Sequence, residues 1–177
     1  DNILSFPRTV TESGDESITV RATLQSDRSN VSPYIDTKRF GLIVTENRVN
    51  NLEDDNNVPE SDNALARYLT KPVELVNPAN EISVFFDANR PPSATIDVYY
   101  KVKPIGSGVR FSDQNWVKFE NNTIPSADEN YSSFTEYSFN QTFNEDFNIY
   151  AIKIVLRSTN ESKVPRVRDL RVIAIKG

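Results

Sequence analysis

The stretch FFDANRPPSATIDVYYKV (residues 85–102) sets a Pro-Pro pair between two runs whose apolar residues recur at every second position. In its second half, Ile96, Val98, Tyr100 and Val102 fall on one side of an extended chain, and Asp97, Tyr99, Lys101 and Lys103 on the other. That period of two belongs to a β-strand with one face toward a core. Pro91 and Pro92 have no N–H to donate to a ladder, and they bias Arg90 toward extended geometry. RPPS therefore reads as the connection between two strands of a structural hairpin, with Tyr99 on its outer face. Working outward, the same period returns in ESITVRA (16–22), FGLIVTE (40–46) and EISVFF (81–86), where Ile82, Val84 and Phe86 share a face. It also marks NIYAIKIVLR (148–157) and DLRVIAIK (169–176). Turn chemistry separates the runs at Asn77-Pro78, Gly106-Ser107-Gly108 and Pro125-Ser126.

These signals predict an all-β protein, an antiparallel two-sheet β-sandwich of jelly-roll type with an extended N-terminal arm. Residues 1–60 supply the arm and strands that pack on the sandwich, residues 61–177 form its core, and one compact domain results. SDNALARYL (61–69) alone has the composition for a helical turn, with Ser61 or Asp62 as its cap.

The chain has 177 residues, enough for a sizeable core, and a formal net charge of −5. An acidic balance gives no footprint for nucleic acid. No apolar run reaches the roughly 18 residues of a membrane span. Zero Cys and zero His remove disulfides, thiol and imidazole catalysis, and the usual zinc ligands. The five Asn-x-Ser/Thr sequons (Asn30, Asn121, Asn130, Asn140, Asn160) read as chance in an Asn-rich chain lacking disulfides. Asp at position 1 and the absence of Met point to a segment of a longer polypeptide. The acidic stretch NLEDDNNVPESDN (51–63) and the basic RSTNESKVPRVRDLRVIAIK (157–176) are complementary in charge, within one fold or between subunits.

The sequence holds candidate residues for three kinds of site. Asp87, Asp97, Asp113, Glu120 and Glu136 supply carboxylates of the type that glycosidases pair, but no motif fixes a separation, so surface charge is the simpler reading and no catalytic residue is assigned. The loop LEDDNNVPESDN offers hard oxygen ligands without the order or the glycine of a calcium loop, so no metal or cofactor is expected. Trp116 and Tyr99, with Asp113 beside them, have the aromatic-plus-polar chemistry of a glycan site; a lone Trp in a sandwich is more often core.

Several segments taken together resemble a module of virion structural proteins of contractile-tailed bacteriophages, cyanophages in particular. They are ATLQSDRSNVSPYIDTKRFGLIVTENRVNN (22–51), ARYLTKPVEL (66–75), ANRPPSATIDVYYKVK (88–103), NWVKFE (115–120), FTEYSF (134–139) and YAIKIVLRSTNESKVPRVRDLRVIAIKG (150–177), in the same order along most of the chain. The resemblance implies a non-enzymatic tail, baseplate or fibre protein that is made in the host cytoplasm and works by assembly with other virion proteins or with itself. The second half also resembles the galactose-binding-like jelly roll of carbohydrate-binding modules, in which a strand such as YAIKIVL precedes a loop and a closing strand such as DLRVIAI. That likeness implies surface glycans as alternative partners, with Trp116, Tyr99 and Asp113 as contacts.

Overall fold

The computed structural model describes residues 23–35, 49–50, 57–59, 64–130, 132–160 and 163–177. The chain divides into a smaller unit, Thr9–Glu46, and a larger one that includes Asn47–Gly177. In the smaller unit the described residues run exposed and without strand, apart from a turn in which Val31 N–H donates to the Arg28 carbonyl. The expected strands at 16–22 and 40–46, and the caps Ser61 and Asp62, lie outside the described residues.

The larger unit is a seven-stranded antiparallel sheet. In chain order its strands are β1 (Ala66–Leu69), β2 (Val73–Asn89), β3 (Ala94–Pro104), β4 (Val117–Lys118), β5 (Asn122–Thr123), β6 (Thr135–Ser158) and β7 (Arg166–Ile175). The main path runs β4-β3-β6-β2-β7, and β1 and β5 also pair with β6. Among the described residues no helix is long and apolar enough to cross a membrane. Ala66–Leu69, expected within a helical turn, is strand: Ala66 faces Leu156 and Leu69 faces Lys153 on β6. Helix propensity in ARYL is worth a few tenths of a kcal/mol per residue, and ladder bonds to a buried strand outweigh it.

Strand β6 organises everything else. Its first half pairs with β2, from Ala88↔Thr135 to Glu81↔Thr142, and its second half pairs with β3, from Val102↔Tyr150 to Ala94↔Ser158. RPPS joins β2 to β3 through a turn closed by Ala94 N–H on the Pro91 carbonyl at 2.9 Å. The two strands do not pair with each other; each lies against one half of β6, so the expected strand connection is present but the hairpin is not. This has a geometric consequence. A straight strand of 24 residues would extend about 80 Å. Thr135 and Ser158, facing Ala88 and Ala94, are kept within about 30 Å by the few residues between them. β6 must therefore bend back on itself.

The bend is legible in the parity of buried residues. Tyr137, Phe139 and Phe147 point inward from the first half of β6, and Tyr150, Ile152 and Ile154 from the second, so odd positions give way to even ones. β2 does the same between Ala79 and Ile82, where its register against β6 shifts. Such an irregularity re-aims the side chains, and apolar residues stay inside as the sheet curves. One hydrophobic cluster results, holding Ile82, Val84 and Phe86 with Ile96, Val98 and Tyr100. Phe119 links the halves: its ring centroid lies 4.9 Å from that of Tyr100 and 5.9 Å from that of Phe139.

Candidate functional site

Asp97, Tyr99 and Lys101 leave β3 on the side away from this cluster, as alternation requires. They are not at the surface. Tyr99 retains 6 % of its exposure and Trp116 also 6 %, and the two rings pack with Ala64, Ala151 and Val155 in a second buried cluster. The expectation that Tyr99 stands on an open outer face is thus corrected. The segment after the Gly106–Gly108 turn folds back over that face and covers it. Phe111–Asp113 makes a 3-10 turn, β4 pairs Val117 with Tyr100 and Lys118 with Tyr99, and Trp116 N–H donates to the Asn57 carbonyl at 2.8 Å.

Charge is buried beneath the indole. The Lys101 and Lys153 ammonium groups lie 4.8 and 5.0 Å from the Trp116 ring, and Lys153 is also 4.9 Å from the Tyr99 ring. An aromatic face attracts a cation most where water is excluded. Lys101 also donates from Nζ to the Ser112 carbonyl at 3.2 Å. Beside them the buried Asp97 carboxylate accepts from Arg157 Nη2, and its other oxygen is 2.7 Å from Lys118 Nζ. Arg157 and Asp97 are diagonal neighbours across the ladder, since Asp97 faces Val155 and Thr95 faces Arg157. The arrangement fixes one strand against another.

Asp113, the third residue of the glycan expectation, sits on the 3-10 turn whose Phe111 packs against the Trp116 cluster, but its own side chain is exposed. It accepts from Ser112 Oγ at 2.8 Å and from Arg110 Nε at 3.0 Å. Those hydrogen bonds, the Ser112 hydroxyl first and the Arg110 guanidinium next, hold its carboxyl below the ordinary range. Trp116 and Tyr99 are brought together and Asp113 lies outside; neither ring is open for a sugar to stack on.

Of the remaining carboxylates, Asp87 and Glu136 are register partners on β2 and β6. Arg168 reaches Asp87 at 3.2 Å and Arg171 bonds Glu136, both from β7. Glu120 is exposed, and its charge adds to burial in raising the Tyr100 phenol above its ordinary value. Arg90, beside the proline pair, donates to the Tyr137 hydroxyl at 3.2 Å and to the Pro125 carbonyl at 2.9 Å. Asp87, Arg90 and Asp97 thus serve three separate contacts and no common site. Among the described residues no three metal-capable side chains come together; of the acidic stretch 51–63 only residues 57–59 are described.

One feature escapes the sequence reading altogether. β1 and the start of β2 form a nearly continuous line along β6, from Ala66↔Leu156 to Glu74↔Ile149. Thr70 closes the gap: its N–H donates to the Ile152 carbonyl and its Oγ1 accepts from Ile152 N–H, each at 2.9 Å. Among the described residues no further strand is paired to the far side of this line. Leu65, Tyr68, Leu69, Val73 and Val76 along it are exposed by 65, 56, 46, 38 and 99 %. The apolar letters were visible in the sequence, but the helical reading of 61–69 hid the edge they line.

No protein-family model matches the chain, and no curated protein or solved structure shows significant similarity to it.

Proposed function

We propose that this chain is a non-enzymatic assembly module, a jelly-roll-like two-sheet sandwich of the kind used in phage tails, baseplates or fibres. The observation that carries the reading is the edge formed by β1 and the start of β2. A strand edge lined with exposed apolar side chains is a template for another chain, and proteins that stay monomeric blunt such edges. The ordered resemblance to virion structural proteins adds the setting, a particle built from repeated contacts. The return of β6 to its starting level and the ring contacts across the core support the sandwich. Two ion pairs tie neighbouring strands together, Asp87 with Arg168 and Asp97 with Arg157, which suits a scaffold held in fixed register.

The test is mass spectrometry of purified virions of the phage that encodes the sequence. The expected result is peptides from this chain at a stoichiometry comparable to known structural proteins. Peptides found in infected-cell lysate and absent from purified particles would refute the virion reading.

A further inference from the structure

We infer that the β1–β2 edge pairs with the same edge of a second copy, antiparallel about a two-fold axis between Thr70 and Lys71. The inference names the partner in the assembly reading above and rests on it only for its biological setting. An isologous contact must be self-complementary, residue i meeting residue j and j meeting i. With the axis between 70 and 71, each residue i faces residue 141 − i of the second copy. Arg67 then faces Glu74, Tyr68 faces Val73, Leu65 faces Val76, Ala66 faces Leu75 and Leu69 faces Pro72. Every apolar residue meets an apolar one, and within Leu65–Leu69 the sole charge meets the sole charge of Pro72–Val76.

The faces agree as well. In an antiparallel pair, opposed residues lie on the same side of the sheet. Tyr68 and Val73 are five positions apart and would fall on opposite sides of a regular strand. Here four steps along the edge, from Leu69 to Val73, match three along β6, from Lys153 to Tyr150. That extra residue puts Tyr68, opposite Ile154, and Val73, opposite Tyr150, on one face. It places Arg67, opposite Val155, and Glu74, opposite Ile149, together on the other. A one-residue slip would set opposed residues on opposite faces and part Arg67 from Glu74. Arg67 also donates from Nη1 to the Ala64 carbonyl at 3.1 Å, a bond that holds its stem along the edge. Pro72 offers no N–H and so costs a ladder bond in each copy, but it lies next to the irregularity, where the ladder is already interrupted.

Sedimentation equilibrium and cysteine cross-linking test the pairing. The wild-type chain is expected to be a dimer. Arg67→Glu and Glu74→Arg each give a monomer with an unchanged circular dichroism spectrum, and the double exchange R67E/E74R restores the dimer, because the pair is re-formed with its signs reversed. The chain has no cysteine, so an introduced thiol is unique. Lys71→Cys, next to the axis, forms a disulfide-linked dimer under mild oxidation, and Leu65→Cys, far from it, does not. A monomeric wild type, or a dimer indifferent to both single exchanges, overturns the inference. Neither result bears on whether the chain is present in virions, so the two readings fail separately. Loss of fold in a charge variant is recognised by its spectrum, and the cross-linking pattern then decides alone.

Discussion

Asp97 shows what a single residue contributes here. It sits on the cleanest alternating strand, at a position whose parity assigns it to solvent, yet its carboxylate is buried between Arg157 and Lys118. A carboxylate withdrawn from water is tolerable only if its lone pairs are met, and a cation deprived of its anion is the more costly of the two. Asp97→Ala is therefore expected to destabilise the chain by about 3 kcal/mol, read as a lower urea midpoint at unchanged slope. Asp97→Asn retains one acceptor and should lose less. Equal small losses for both, below about 1 kcal/mol, would mean that Arg157 is held without Asp97. Asp113 gives the opposite case. It is exposed, and its lowered pKa makes its contribution present above about pH 4, the unfolded value, and lost as pH falls through the folded value. Parity in the sequence separated Asp97 and Tyr99 from Ile96 and Val98. It did not tell which face was open, because the cover arrives with Trp116, many residues later in the chain.

At the level of the strand, irregular positions carry as much information as regular ones. Arg168 and Arg171 are three apart, yet both reach carboxylates on one outer face, Asp87 and Glu136. Between them β7 spends three steps, from Arg171 to Arg168, where β2 spends two, from Phe85 to Asp87. The extra residue is accommodated at Asp169, whose φ is 56°. Asp tolerates this left-handed conformation better than most residues, and a β-branched side chain does not. Asp169→Val should cost roughly 1–2 kcal/mol in thermal or chemical unfolding, and Asp169→Gly a few tenths at most. If both variants lose the same amount, the side-chain contact of Asp169 with Arg168 matters and the backbone does not. Strand identity is largely legible: EISVFF, TIDVYYKVK and NIYAIKIVLR lie within β2, β3 and β6, and DLRVIAIK lies within β7 but for its last residue. The continuation of β6 through FNQTFNEDFN is not legible, since Gln141 and Glu145 interrupt the aromatic alternation of Phe139, Phe143 and Phe147. β1 is not legible as a strand, because four residues are too few for a period to show.

Taken whole, the larger unit buries side chains on both faces of one sheet region: β3 and the second half of β6 contribute to the main cluster and to the Trp116 cluster alike. Those strands are read as half-buried in the sequence because Lys101 and Lys153 occupy positions that a two-sided core normally fills with apolar residues. Buried under rings, they serve as core. Such shared strands couple the two faces, and the tyrosines allow the coupling to be tested. Tyr100 and Tyr150 belong to the main cluster, and burial raises both phenols above their ordinary value, with Glu120 adding to the effect at Tyr100. A folded pKa above the unfolded one means that the native state holds its proton longer. The stabilisation is complete below about pH 10 and is lost as pH rises beyond it toward the folded values. Urea midpoints should therefore stay level up to about pH 9 and then fall, and Tyr100→Phe with Tyr150→Phe should flatten that fall. Trp116 is the only tryptophan of the chain and lies on the opposite face from both phenols. If the shared strands bind the faces into one cooperative unit, its emission shifts to that of an exposed indole over the same alkaline range in which the phenols ionise. Two separated transitions would instead show that the Trp116 cover melts independently of the main core.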